Sequence, residues 1–316
     1  MNRRGAFLVL LLAIGCSKHT PSKPAPSAAT PPGAPPAASA TAAASAAPAR
    51  SSASAHPAAS ASSYSSLTGV LSEEGFKKLH QLKTDAEPPR KGTMIKIAGT
   101  RAYLSLPANA KPPLPAVVVI HEWWGLNQHI EHWADRLAAD GYAAVAVDLY
   151  GGKVATTPDE AMKLMKAVDA TRARTTLVAA YHFLKTDPRV TASHLGSIGW
   201  CFGGGWSLQL ALAEPKLDAD VIYYGHVPTD PGKLTPLHAP VLAFFGNKDK
   251  SIPPAHVDAF EHALAKLHVT HTVQRYDAQH AFANPSGARY NEKAAADAWK
   301  HVRAFLDKYL KHPAKP

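Results

Sequence analysis

The sequence predicts an α/β domain with a mostly parallel central sheet and helices on both faces of that sheet. The first observation is that apolar strand segments alternate with helical segments from Thr93 to Leu310. The second is the run Ala116–Ile120, whose continuous alanine, valine and isoleucine residues are typical of a strand covered on both faces. Strands and helices that alternate in this way need right-handed crossovers, which make the strands parallel.

The segments follow one another in a regular order. Ser72 can cap a short helix that ends at Leu82, and Gly99-Thr100 predicts the turn between two paired strands. Asp187-Pro188 ends the long central helix. The predicted strands are 93–97, 101–106, 116–120, 142–147, 195–200, 221–224, 241–245 and 269–276. The predicted helices are 128–139, 158–185, 203–213, 254–267 and 290–310.

Residues 1–15 predict a lipoprotein signal peptide. A basic start precedes the apolar run Ala6–Ile14, which is too short to span a bilayer as a mature helix. Gly15-Cys16-Ser17 then resembles a lipobox, in which the cysteine is lipidated and becomes the mature N-terminus. We therefore expect export to the cell envelope with a lipid anchor on Cys16, on the periplasmic side or the surface. Ser17 resembles outer-membrane sorting if the host is Gram-negative.

Residues 16–65 are almost entirely Ala, Pro and Ser, a composition that predicts a disordered tether. Residues 66–316 then form the folded domain, since roughly 250 residues are enough for one core. The chain carries 34 Lys and Arg against 24 Asp and Glu, a net charge of +10. The basic residues do not cluster with aromatic residues, so we expect no nucleic-acid partner. The excess of basic residues is compatible with high solubility or with binding to an anionic envelope surface.

The stretch Ser197–Gly205 carries the clearest chemical signal. Its G-x-C-x-G pattern is a variant of the nucleophile elbow, in which small residues let a strand turn sharply into a helix and expose the central side chain. That side chain is Cys201, and a helix N-terminus favours the thiolate. With Cys16 lipidated, Cys201 has no partner for a disulfide. The alternative is an inert, buried cysteine.

Other polar side chains follow the carboxyl ends of predicted strands, where functional residues gather in such sheets. Glu122 follows the third strand, Asp249 the seventh and His280 the last. The chain order of nucleophile, acid and histidine is that of the α/β-hydrolases, in which a carboxylate orients a base beside the nucleophile. Asp277 and Asp230 are alternatives to Asp249 as the orienting acid.

Five motifs follow one another along the chain. They are His121-Glu122-Trp123-Trp124-Gly125-Leu126-Asn127, Asp148-Leu149-Tyr150, Gly199-Trp200-Cys201-Phe202-Gly203-Gly204, Asp249 before Ile252-Pro253, and His280-Ala281-Phe282. Together, in this order, they resemble the dienelactone hydrolase family over roughly Lys91 to Leu310. The resemblance implies an α/β-hydrolase fold and the hydrolysis of small carboxylic esters or lactones, with a small molecule as substrate and neither cofactor nor metal.

The resemblance also implies a role for each polar residue. Cys201 is the expected nucleophile, His280 its general base and Asp249 the acid that orients His280. Glu122 is similar to the family's glutamate that holds the resting thiol neutral and helps to activate it when substrate arrives.

Backbone and aromatic groups complete the expected site. The resemblance implies an oxyanion hole made by the backbone N–H groups of Trp123 and Phe202. The aromatic side chains of Trp124, Trp200 and Tyr224, together with Trp123, are expected to form a pocket wall for a flat or apolar acyl group.

One position departs from the family. Members that cleave dienelactone carry an arginine shortly after the catalytic histidine, which holds the substrate carboxylate, and this chain has Asn284 there. Arg289, Lys153 and Arg172 are candidates to compensate. The natural substrate therefore stays open among small esters and lactones.

Two other functions are compatible with parts of the sequence. A non-catalytic envelope lipoprotein could keep the hydrolase fold to bind a ligand or partner, with the basic charge as its direct support. Thiol redox chemistry at Cys201 is the other, but the domain offers no second cysteine to resolve an oxidised thiol.

Overall fold

Residues 90–313, the part of the chain that the computed structural model describes, contribute eight strands to one sheet. The signal peptide, Cys16, the tether and the helix expected from Ser72 lie outside these residues. The strands are β1 (Thr93–Ile97), β2 (Thr100–Ser105), β3 (Ala116–Ile120), β4 (Ala143–Val147), β5 (Leu195–Trp200), β6 (Ala219–Tyr223), β7 (Val241–Gly246) and β8 (His271–Tyr276).

The strand order across the sheet is β1-β2-β4-β3-β5-β6-β7-β8. Strand β2 runs antiparallel to both of its neighbours, and the pairs from β4 to β8 are all parallel. After β3 the chain goes to β4 on one side, and it later returns to β5 on the other side of β3. The carboxyl ends of β3 and β5 therefore flank a topological switch point, where ligands bind in open α/β sheets.

Seven α-helices lie in the described part of the chain. They are α1 (Gln128–Ala139), α2 (Pro158–Lys166), α3 (Ala170–Thr186), α4 (Phe202–Ala213), α5 (Pro231–Leu234), α6 (Pro254–Lys266) and α7 (Glu292–Leu306), and a π-helical turn (Asp307–Lys311) follows the last. None of these helices is long and apolar enough to cross a membrane.

The sheet separates two apolar layers. Alternate residues of β3 point to opposite faces, so Val118 belongs to the apolar layer that includes α3 and α6, while Val117 and Val119 belong to the layer that includes α1 and α7. Every residue of β3 to β7 is buried, as expected for strands that are covered on both faces. The predicted fold class, a mostly parallel sheet with helices on both faces, is confirmed.

The long helix expected over 158–185 is wrong in one respect, because the structure divides it into α2 and α3. The carboxylate of Asp169 caps the second helix by accepting a hydrogen bond from the N–H of Arg172 at 2.7 Å. A capping aspartate stabilises a helix start, and apolar residues at helical spacing on both sides conceal such a break.

Other boundaries move by a few residues. The last helix begins at Glu292, where the side chain of Asn291 caps it, and the last strand begins at His271. The short helix α5 was not predicted; Asp230 caps it by accepting from the N–H of Gly232 at 2.9 Å.

Candidate active site

The turn from β5 into α4 holds Cys201 in a strained backbone conformation. Its φ is 54° and its ψ is −115°, a region that residues with a side chain rarely adopt. Gly199 and Gly203 make this turn possible: a Cβ atom on Gly199 would collide with the carbonyl of Gly203, and one on Gly203 with the carbonyl of Ile120. Helix α4 can therefore begin directly above the sheet with Cys201 half-buried at its N-terminus.

Three side chains from different strand ends meet in a chain of hydrogen-bond distances. The Nε2 atom of His280 lies 3.1 Å from Sγ of Cys201, and Nδ1 of His280 lies 2.6 Å from Oδ2 of Asp249. The other oxygen of Asp249 accepts from the N–H groups of Ser251 at 2.7 Å and Ile252 at 3.1 Å. The carboxylate is buried and held by its own loop, so it fixes the direction of the imidazole.

The electrostatics of the three groups are coupled. Burial lowers the pKa of His280, but the hydrogen bonds and charges of Asp249 and Cys201 outweigh burial and raise it to about 10. For Asp249 the directions are reversed. Burial raises the pKa of this carboxyl group, but the bond to His280 and the two backbone N–H groups bring it below its usual value. The raised pKa favours the imidazolium form of His280, and an adjacent imidazolium in general favours the thiolate form of a cysteine.

The competing acids lie elsewhere. Asp277 is exposed and pairs with Lys248 at 2.9 Å, while Asp230 caps α5. Of the three acids considered for the orienting position, the structure brings Asp249 alone to His280.

Glu122 sits beside these residues as a buried carboxyl group. Its Oε2 accepts a hydrogen bond from Nδ2 of Asn284 at 2.6 Å, and its Oε1 accepts a long one from the hydroxyl of Tyr224 at 3.4 Å. Burial raises the pKa of Glu122 to about 7, against the opposing effects of the His280 charge and of these two hydrogen bonds. Near neutral pH the group therefore exists in both protonation states.

His121 organises the loops around the switch point. Its Nε2 accepts from the N–H of Leu149 at 3.1 Å, so Nδ1 carries the proton and donates to the carbonyl of Glu122 at 2.6 Å. Burial lowers the pKa of His121, which keeps the ring neutral. The ring also stacks on Phe202, with 5.6 Å between centroids, and meets the edge of Tyr150. The sequence places His121 in the motif after the third strand but does not connect it to Leu149, 28 positions later.

The aromatic residues divide into two groups. Trp123 and Trp124 are partly exposed, with rings 5.0 Å apart in an edge-to-face arrangement, and Phe202 is half-buried at the start of α4. The expectation that Trp200 lines the pocket is wrong. Its ring is 1% exposed and stacks on Trp133 of α1, because position 200 of β5 faces the layer formed by α1 and α7.

Tyr224 also differs from its expected place in a pocket wall. The residue is fully buried, and its ring lies 5.2 Å from that of His280. Its link to the site is the hydroxyl on Glu122.

The candidate replacements for the missing arginine line other cavities. Lys153 and Arg172 border a cavity of about 190 Å³ with Tyr150 and Leu164. Arg289 borders an open cleft of about 630 Å³ with Lys248 and Asp277. Neither lining includes Cys201, Glu122 or His280.

The sequence and the fold resemble those of known proteins. The sequence profile of the dienelactone hydrolase family matches residues 100–310. The chain belongs to this family. A Synechocystis sp. protein provisionally named carboxymethylenebutenolidase is 35% identical over 235 residues, which cover 69% of this chain and 94% of that protein. A Saccharolobus solfataricus protein with the same provisional name is 30% identical over 251 residues, 68% of this chain and 96% of that one.

Solved structures with similar sequences also have similar folds. A Klebsiella pneumoniae protein provisionally named dienelactone hydrolase is 30% identical, has a TM-score of 0.61 and covers 69% of this chain and 98% of its own. A dienelactone-hydrolase-like promiscuous phosphotriesterase from metagenomic libraries is 26% identical, with a TM-score of 0.63 and coverage of 69% and 99%. This member of the dienelactone hydrolase family is therefore an enzyme, a hydrolase of the ester and lactone class.

Proposed function

We propose that this dienelactone hydrolase family member cleaves small carboxylic esters or lactones through a Cys201–His280–Asp249 triad. The observation that carries the proposal is the pair of distances at His280, 3.1 Å from Nε2 to Sγ of Cys201 and 2.6 Å from Nδ1 to Oδ2 of Asp249. A nucleophile, a base within hydrogen-bond reach and a third group that orients the base are the requirements of nucleophilic acyl transfer.

The reaction has two halves. The thiolate of Cys201 attacks the carbonyl carbon, and the tetrahedral intermediate collapses to an acyl-thioester as the alcohol leaves with a proton from His280. In the second half, His280 takes a proton from water, whose oxygen attacks the thioester. The carboxylic acid then leaves and Cys201 is restored. Asp249 stabilises the imidazolium in both halves.

The oxyanion of each tetrahedral intermediate needs hydrogen-bond donors. We assign this role to the backbone N–H groups of Trp123 and Phe202. Phe202 is the first residue of α4, where the N–H group has no acceptor within the helix. Trp123 follows β3 at the same edge of the sheet, across the switch point from β5. Donors aimed at the developing charge contribute much of the rate enhancement in acyl transfer.

Kinetics of variants test the triad. The full-length protein in detergent is assayed with p-nitrophenyl valerate and a panel of small lactones, alongside Cys201→Ala, His280→Ala and Asp249→Asn. We expect each variant to lower kcat/KM by about a hundredfold or more, the size of effect seen for a nucleophile or its base.

Matched controls keep this test specific. Asp277→Asn removes an exposed acid after the neighbouring strand, and His182→Ala removes an exposed histidine of α3. Both controls should retain wild-type kcat/KM. Turnover by Cys201→Ala at the wild-type rate would exclude the triad as assigned.

We further propose that the enzyme is an exported lipoprotein with its anchor on Cys16. The support is the sequence of residues 1–17 alone. Cells labelled with a radioactive fatty acid should yield labelled wild-type protein in the membrane fraction and unlabelled Cys16→Ser protein outside it. Equal membrane association of both proteins without label would rule out the anchor.

A further inference from the structure

We propose that His121 is a positioning residue for the oxyanion hole, which it acts on through the peptide group between Glu122 and Trp123. The inference rests on the proposed esterase function, in which the backbone N–H of Trp123 binds the oxyanion. His121 is buried, and neither this residue nor the Asp148-Leu149-Tyr150 motif takes part in the acyl transfer itself.

The hydrogen bond that His121 donates fixes the direction of a neighbouring N–H group. Its Nδ1 donates to the carbonyl oxygen of Glu122 at 2.6 Å, and the N–H of Gly125 donates to the same oxygen at 3.2 Å. This carbonyl and the N–H of Trp123 belong to one planar, trans peptide group, so they point in opposite directions. With the carbonyl held, the N–H of Trp123 is held as well. A hydrogen bond at the oxygen of an amide also polarises the group and strengthens its N–H as a donor.

The His121 ring is itself held in one tautomer and one place. Its Nε2 accepts from the N–H of Leu149 at 3.1 Å, so the proton stays on Nδ1. The carboxylate of Asp148 fixes this loop by accepting from the N–H groups of Tyr150 at 2.8 Å and Gly152 at 2.5 Å. Burial lowers the pKa of His121, so the ring stays neutral and keeps one nitrogen as an acceptor.

The same ring connects the two donors that we assign to the oxyanion hole. Phe202, whose N–H is the second donor, stacks on His121 with 5.6 Å between the ring centroids and 17° between the ring planes. One imidazole therefore bonds to the peptide group of Trp123 and packs against the side chain of Phe202. Because such donors act only when they are aimed at the developing charge, the direction of these N–H groups affects both halves of the reaction.

Two substitutions separate the bond to Glu122 from the rest of the ring. His121→Asn places an amide nitrogen near the position of Nδ1 and can still donate to the carbonyl of Glu122, whereas His121→Leu has a similar size and no donor. With p-nitrophenyl valerate, we expect His121→Leu to lower kcat by about tenfold or more and to change KM by less than about threefold, because the oxyanion forms only after the substrate has bound. His121→Asn should keep kcat within about threefold of the wild-type value.

An analogue of the tetrahedral intermediate reads the oxyanion hole directly. In 1,1,1-trifluorohexan-2-one, which has the acyl chain of valerate, the thiolate of Cys201 adds to the ketone carbon. A C–S bond forms, and an electron pair of the C=O bond moves to the oxygen, which becomes the oxyanion. The inhibition constant should rise in His121→Leu as kcat falls. A smaller fraction of folded protein would lower kcat without changing the inhibition constant.

His271→Leu is the matched control. Nδ1 of His271 donates to the carbonyl of Val269 at 2.7 Å, a bond of the same kind, at the amino end of β8 and therefore at the opposite edge of the sheet from Cys201. This variant should keep the wild-type kcat and inhibition constant.

The tautomer of the wild-type ring tests the geometry independently of activity. Nitrogen-15 NMR of the full-length protein in detergent should show one neutral imidazole that carries its proton on Nδ1 and does not titrate from about pH 5 to pH 9. Its signals should be missing from the spectrum of His121→Asn.

The outcomes distinguish this inference from the function on which it rests. Wild-type kcat in His121→Leu, or equal losses in His121→Leu and His121→Asn, overturns the inference, and activity lost in Cys201→Ala then leaves the esterase function intact. A His121 ring that titrates, or that carries its proton on Nε2, overturns the inference as well. Wild-type protein that hydrolyses no ester overturns both. If His121→Leu does not fold, the tautomer of the wild-type ring decides the question.

Discussion

At the scale of single residues, the site combines a strained nucleophile with two carboxylates in different surroundings. Asp249 is held by two backbone N–H groups and by His280, which keep its pKa low, so it is ionised. Glu122 is buried, and burial raises its pKa to about 7. Environments that push the pKa values of two acids apart assign them different tasks. Asp249 is suited to hold a permanent charge, and Glu122 to gain and lose a proton near neutral pH.

This difference predicts that the activity depends on the protonation state of Glu122. Glu122 loses its proton as the pH rises through about 7. Asn284 and Tyr224 bond to Glu122, and the charge of His280 acts on it. The pH profile of kcat/KM for p-nitrophenyl valerate should therefore show a transition near pH 7. In Glu122→Gln this transition should be absent, and the same transition in both proteins would contradict this role for Glu122.

At the scale of elements, the close approach of α4 to β3 positions the nucleophile. Gly203 lies against the carbonyls of Ile120 and His121, backbone atoms that cannot move without separating the helix from the sheet.

Beneath the elbow, a buried cluster joins β5, α4 and β6. In this cluster the hydroxyls of Ser207 and Ser197 donate to Oδ1 of Asp220 at 2.6 and 3.0 Å. These contacts hold the strand, the turn and the helix in one arrangement.

A methyl group at position 203 tests the close approach. We expect Gly203→Ala to lower the free energy of unfolding by about 1 to 3 kcal/mol or more, because overpacking against backbone atoms finds no relief. Gly287→Ala is the matched control, since its added Cβ would meet its nearest neighbour at an ordinary 3.4 Å. Denaturant unfolding of both proteins measures the difference. Equal stabilities would show that the helix can shift.

The buried cluster predicts a pH-dependent stability. Burial raises the pKa of Asp220 to about 7 against the lowering effect of its two serine bonds, and Oδ2 has no partner within residues 90–313. The folded state then holds this proton more tightly than the unfolded chain, so the group's contribution to stability is lost as the pH rises from about 4 to about 7. Relative to the wild type, Asp220→Asn should gain about 1 to 4 kcal/mol between pH 4 and pH 8. A constant difference in unfolding free energy across this range would contradict the assignment.

At the scale of the whole molecule, local sequence patterns predict the sheet and its functional edge but not the contacts between distant segments. Strands of continuous apolar residues and the polar residues after them were sufficient to find the parallel sheet and to bring Cys201, Asp249 and His280 to one edge. Trp200 was misplaced because the sequence around it does not show which face of β5 it occupies. Its ring stacks on Trp133, a contact 67 positions away in the chain. Such contacts depend on packing between distant segments, which local patterns do not encode.

The bond between Asn284 and Glu122 was beyond the sequence for the same reason, since it joins residues 162 positions apart. The substitution itself was visible as a departure from the family. Its consequence, a carboxyl group held by an amide, needed the fold. The sequence analysis did not predict the break between α2 and α3, because the helical spacing of apolar residues continues on both sides of Asp169.

The most direct test of the central claim is to find the acyl group on the enzyme. The full-length protein is mixed with p-nitrophenyl valerate, quenched in acid within the first turnover and digested for mass spectrometry. The proposed mechanism predicts one valeryl group as a thioester on the peptide that contains Cys201, and its loss at the rate of turnover. A valeryl group on another residue would contradict the mechanism. So would full turnover without any acyl-enzyme in the rapid-quench samples, or full turnover by the Cys201→Ala protein.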